Sequence, residues 1–218
     1  MCTGSLPAAL MKNGSKGVPY NFLRNLNPIF SSSMFTSKQE LSESMGVDPE
    51  IAAFFVDRKV PVQNQYWKGR YLYVARGTGY LFIPLFFDLQ LRASLPREKV
   101  LDAAYVSLME AILDLAAQYE FGDLDFKDQI RQIENLVQPG SVQPWLFELL
   151  VEYFAQEVLH PVGMIGTPNP ALNRGDALLF LLTTLDAPRE TIEKIIRYWY
   201  LLVPSFLLLD DIMDLRED

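Results

Sequence analysis

Residues 96–119, PREKVLDAAYVSLMEAILDLAAQY, decide the fold class. Pro96-Arg97-Glu98 opens a helix. Leu101, Tyr105, Leu108, Ile112 and Leu115 then recur at three and four residues, the period of one helix face. The spacing predicts one helix from about 97 to 119, with Gly122 as its stop. Glu110 and Asp114, at i and i+4, read as a polar outer edge of that helix.

The flanking sequence follows the same pattern. Ser37 caps a short helix that Gly46 ends, and Asp48-Pro49-Glu50 starts another through Phe55. Further helices are expected over 79–93, with Pro84 tolerated in the first turns, over 125–137 and over 142–159. Ala177–Leu185 reads as a short, very apolar helix. Asp186-Ala187-Pro188-Arg189-Glu190 caps a last helix that continues to Asp214, with a kink expected at Pro204. Tyr66, Tyr71, Tyr73 and Val74 suit a strand or a loop equally, and 163–175 is a loop dense in Gly, Pro and Asn. The expected class is all-α, with roughly eight helices. Residues 1–35 are expected to form an irregular N-terminal arm anchored by Phe22, Leu23 and Phe30, and 36–218 a single helical domain.

Composition narrows the function. Half of the 218 residues are apolar and 12% aromatic, which excludes a disordered chain. Nineteen basic against 27 acidic residues give a net charge of −8, which argues against nucleic-acid binding. Cys2 is the sole cysteine, so nothing points to an oxidising compartment. His160, the sole histidine, excludes His-rich metal sites and reads as a helix end before Pro161. The longest nearly unbroken apolar run, Tyr198–Leu209, is twelve residues, whereas a membrane span needs about 20. Leu6–Met11 has no basic region ahead of it, so no signal peptide is expected and the default location is cytoplasmic. Gly77-Thr78-Gly79 lacks the strand and Lys-Ser/Thr of a phosphate loop.

The chemistry concentrates at 205–218, SFLLLDDIMDLRED. On a helix, Asp210 and Asp214 stand at i, i+4 and Asp211 and Asp214 at i, i+3, on one face. Like charges there repel, and a helix C-terminus disfavours each anion by about 0.3–1 kcal/mol. Such a cluster calls for a cation, and carboxylates without His or Cys suit a hard ion such as Mg²⁺. The bland alternative is an exposed acidic helix end softened by Arg216. The apolar lead-in Leu201–Leu209 favours a helix buried on most faces, with the aspartates at the rim of a core.

Phe206–Asp214, FLLLDDIMD, resembles the second aspartate-rich motif of the trans-isoprenyl diphosphate synthase (polyprenyl synthetase) family. Arg174-Gly175-Asp176-Ala177-Leu178 is similar to the family's KTGAL segment. Gly79-Tyr80-Leu81-Phe82-Ile83-Pro84 falls where the family has GKRxRP, keeping the glycine and proline but replacing the three basic residues with Tyr80, Leu81 and Ile83. Tyr119-Glu120-Phe121-Gly122-Asp123 stands near the first DDxxD and keeps Glu120 and Asp123. The resemblance implies an isoprenoid-synthase-like helical bundle around a central apolar cavity, here lacking the C-terminal helices after Asp218. It implies Mg²⁺ at Asp210, Asp211 and Asp214, a prenyl diphosphate or other isoprenoid ligand, and substrate contacts from Arg174, Glu120 and Asp123. Some of Phe86, Leu108, Ile112, Tyr200 and Phe206 would line the cavity. No residue is assigned as catalytic. The implied chemistry is prenyl transfer or ionisation of an allylic diphosphate. The lost basic residues favour a second reading, a non-catalytic subunit or binding module that pairs with an active synthase as a homo- or heterodimer. A third reading is a helical interaction domain with an acidic tail.

Overall fold

The computed structural model describes residues 34–76, 80–173 and 175–214, without the side chains of residues 206 and 209–214. The arm expected over 1–35 lies outside these residues except for Met34 and Phe35. The described chain forms helices α1 Lys38–Glu43, α2 Pro49–Asp57, α3 Phe82–Arg92, α4 Arg97–Val100, α5 Ala103–Glu120, α6 Phe126–Val137, α7 Pro144–Phe154 and α8 Arg189–Asp214. Its only β pairing, among the described residues, is two isolated bridges, Phe35 with Ala75 and Val162 with Ile165. The class is all-α.

Local chemistry sets most boundaries. Ser37 Oγ accepts from Glu40 N at 3.1 Å and caps α1. Asp48 Oδ1 accepts from Glu50 N and Ile51 N at 3.0 and 3.3 Å, with Pro49 opening α2. Asp125 caps α6 through Asp128 N at 2.8 Å. Each cap satisfies N–H groups that have no partner inside the helix. Gly122 ends α5 at φ +79°, a left-handed conformation that glycine adopts without steric cost.

Several boundaries differ from the sequence expectation. The helix expected over 97–119 is two helices. α4 stops at Val100, and Asp102 caps α5 by accepting from Ala104 N and Tyr105 N at 2.9 and 3.0 Å. An aspartate inside a periodic run offers the backbone a new start, and the hydrophobic period does not register it. α7 ends at Phe154 rather than near 159. The Gln156 side chain there donates to the carbonyls of Tyr153 and His160 at 3.1 and 3.0 Å, so His160 sits in a turn beyond the helix. The ambiguous stretch resolves, in its described part, into turns and a 3₁₀ helix at Leu72–Val74.

The segment read as a short α-helix is a nine-residue 3₁₀ helix, Asp176–Thr184. Asp176 through Thr183 are all buried, and α5, α6 and α7 pack against the segment. The hydroxyls of Thr183 and Thr184 donate back to the carbonyls of Phe180 and Leu181 at 2.7 and 2.9 Å, spacings that match the tighter winding.

Elsewhere in the bundle α1, α2 and α3 pack in chain order, α5 pairs with α6, and α8 returns to lie on α3. One core cluster extends from Leu41 to Val203. Its aromatic rings meet edge to face, Phe55 with Phe87 at 4.9 Å and Phe86 of α3 with Trp199 of α8 at 5.0 Å. That last contact fixes the helix bearing the aspartates.

Candidate ligand site and buried carboxylates

α8 buries Ile192, Ile195, Ile196, Trp199 and Val203. It winds on past Pro204 through Asp214, so residues 210, 211 and 214 hold the i, i+1, i+4 register. Pro204 removes one ladder N–H, and the neighbouring Ser205 hydroxyl donates to the Leu201 carbonyl at 2.5 Å. The side chains of Asp210, Asp211, Asp214 and Phe206 lie outside the described residues, as does Arg174 altogether. The lead-in is not buried on most faces. Val203 and Pro204 are buried, but Leu201 is 68% and Leu208 45% exposed, because the neighbours of α8 cover one side of it only.

The remaining predicted site residues sit at the far end of α5. Glu120 is its last residue, and Asp123 follows in the next turn. Asp123 Oδ2 accepts from the Tyr66 hydroxyl and from Gln65 Nε2, the latter at 3.3 Å. The Tyr66 ring stacks on Phe121 with centroids 4.6 Å apart. The hydrogen bond to Asp123 pushes the Tyr66 phenol up to about 12. Partial desolvation holds the Glu120 carboxyl above the usual carboxylate range. Tyr80 is pushed up by burial first and by the charge of Glu120 second. Both acids therefore have a tyrosine beside them. Ile83 is buried in the core, and Tyr80 and Leu81 pack against it. Among the described residues, no group of three His, Cys, Asp or Glu side chains is placed to hold a metal ion.

Phe86 and Ile112 are packed into the core, Leu108 lies against it, and the Tyr200 hydroxyl is turned to Asp176. An open cleft of about 480 Å³ lies elsewhere, between the α1–α2 turn and α3, lined in part by Ser42, Gly46, Asp48, Asp88 and Arg92. Its carboxylates are already paired, Asp48 with Arg97 at 2.7 Å and Asp88 with Arg92 at 2.5 Å.

Four carboxylates are buried among the described residues, Glu40, Asp88, Glu110 and Asp176, and none was read as such from the sequence. Glu110 is 6% exposed, which overturns its place on a polar outer edge. Arg58 of the α2 C-cap grips both its oxygens at 2.6 and 2.8 Å, and the Tyr73 hydroxyl adds a bond at 2.8 Å. The pairing raises the Arg58 guanidinium further above its usual range. Asp114 is half-buried and accepts from Gln118 at 3.1 Å.

Asp176 is 1% exposed. Its Oδ2 accepts from the hydroxyls of Tyr153 and Tyr200 at 3.0 and 2.9 Å, and its Oδ1 from Trp199 Nε1 at 2.9 Å. Burial pushes its carboxyl up to about 6 against the pull of these three bonds. In the sequence, Asp176 stands inside the segment similar to KTGAL, and nothing there marks it as a buried acid. No protein-family profile, curated protein or solved structure matches the chain.

Proposed function

We propose that the chain is an isoprenoid-synthase-like protein that binds a prenyl diphosphate through Mg²⁺ at Asp210, Asp211 and Asp214. The observation that carries this reading is the continuity of α8 through Asp214, which keeps the three aspartates in helical register at the end of a core-anchored helix. The donor set consists of carboxylates alone, which suits Mg²⁺. When bound, the ion supplies charge for a diphosphate and, in prenyl transfer or allylic ionisation, for the departing diphosphate. The chain's own residues would contribute Arg174 as a positive contact and Glu120 and Asp123 as further acidic contacts. The cytoplasm is the proposed location; no helix among the described residues is long and apolar enough to cross a membrane.

One observation favours the second reading, a binding subunit that pairs with an active synthase as a homo- or heterodimer. Where the family gathers cations for isopentenyl diphosphate, this chain has Tyr80, Leu81 and Ile83 against the core, and Tyr66 holds Asp123. Positioning a second reactant can be worth roughly 7–11 kcal/mol, and these side chains offer a diphosphate no charge to hold it. The protein therefore binds an allylic diphosphate without elongating it alone. Calorimetry with a C15 allylic diphosphate, with and without Mg²⁺, tests this. Binding should require Mg²⁺ and weaken at least about 10-fold in Asp210→Ala and Asp214→Ala. Equal affinity in all three proteins removes the site. Longer products from labelled isopentenyl diphosphate would show that the binding-only reading is wrong.

A further inference from the structure

We propose that Asp176 is a proton-controlled pin that fastens the 163–167 loop and the 3₁₀ segment onto α7 and α8, tight when the carboxyl carries a proton and looser when it does not. This proposal needs no ligand and is independent of the prenyl reading. One carboxyl group joins three parts of the fold. Tyr153 reaches it from α7, and Trp199 and Tyr200 reach it from α8. The loop hangs on the same point, because Gly166 N donates to the Tyr200 hydroxyl at 2.6 Å. Gly166 holds φ +89°, and a Cβ there would meet Tyr153 Cε2 at 2.7 Å, so the loop backbone lies directly on the pin. The Val162–Ile165 bonds and the Thr167–Asn173 bonds stiffen the loop as one unit.

No cation balances the charge within the described residues. On α8, Lys194 donates to the Arg92 carbonyl and Arg197 is exposed. On α7, Glu148 and Glu152 are exposed. Glu110 of α5 is held by Arg58, Asp114 bonds Gln118, and Lys127 and Arg131 of α6 face solvent. Behind Trp199 stand the rings of Phe82 and Phe86 from α3. Arg174 lies outside the described residues. Among the described residues, the ionised form thus rests on three neutral donors in a buried site, where a charge without a cation is costly. The neutral acid keeps the contacts, since a tyrosine hydroxyl donates or accepts as needed.

The upward shift to about 6 fixes the direction of the effect. Below the ordinary carboxyl value near 3.8 the group is protonated whether the loop is closed or open. As pH rises through about 6, the open form has already lost its proton and the closed form gives it up reluctantly, so closure weakens. A gap of two units corresponds to about 100-fold in the opening constant.

Hydrogen exchange at the loop amides, corrected for intrinsic rates, reads that constant. From pH 4 to 7.5 the native chain should lose about 100-fold protection at Gly166, while Asp176→Asn stays flat. Should Asp176→Asn not fold, Tyr200→Phe serves. It removes a donor that favours the charged form, so the Asp176 midpoint, read in this variant by the carbon-13 titration because Gly166 N has lost its acceptor, moves upward. A carbon-13 titration of the native Asp176 carboxyl should show its midpoint near 6. Parallel profiles in the native chain and Asp176→Asn, an unmoved midpoint in Tyr200→Phe, or a carboxyl midpoint at or below 4 would each overturn the pin.

Discussion

Glu110 and Asp176 are carboxylates of similar depth, 6% and 1% exposed, that solve burial in opposite ways. Glu110 has a guanidinium across both oxygens, with a phenol in support. Asp176 has two phenols and an indole and, among the described residues, no cation. A charge matched by a charge is a fixed joint, which fails when one partner is removed. A charge held by neutral dipoles is adjustable, because a proton can replace the missing cation. Asp123 completes the series at the surface, exposed and bonded by Tyr66 and Gln65.

The largest expected effect lies on the Glu110 side. Arg58→Met leaves a buried carboxylate facing only Tyr73, and stripping one partner from a buried pair costs about 3–5 kcal/mol. Urea denaturation at pH 7 checks it. A loss below about 1 kcal/mol would mean that the pair is no firmer than a surface one and would erase the contrast with Asp176.

Asp176→Asn sharpens the comparison through its pH dependence. The folded carboxyl titrates higher than the unfolded one, so its stabilising contribution is complete below about 4 and is lost as pH rises through about 6. Relative to Asp176→Asn, the native chain should lose about 3 kcal/mol between pH 4 and 7. Urea midpoints of the two proteins across that range give the difference, and a constant gap would place Asp176 with Glu110 as a fixed joint. The smallest effect belongs to Tyr66→Phe. Because Tyr66 and Asp123 sit at the surface, the urea midpoint should not move measurably, and a clear drop would mean that the Tyr66 hydroxyl bond to Asp123 is a structural element.

The caps at Ser37 and Asp48 were legible because each acts within three residues of itself. The same chemistry at Asp102 was missed, since Leu101 and Tyr105 carry one hydrophobic phase across the break. The aspartates of α8 were legible as a helical register and nothing more. The exposure of Leu201 shows why: an apolar run states what a helix would bury, and the neighbouring α3 decides how much it does bury.

By itself, the sequence determined the all-α class, the capped starts at Ser37 and Asp48 and the i, i+1, i+4 spacing of Asp210, Asp211 and Asp214, because period and capping are properties of adjacent residues. Only the tertiary structure decided that Glu110 meets Arg58 across 52 positions and Asp176 meets Trp199 across 23. A carboxylate's chemistry depends on what stands within about 3 Å of it. In both cases packing, and not chain order, chose that neighbour.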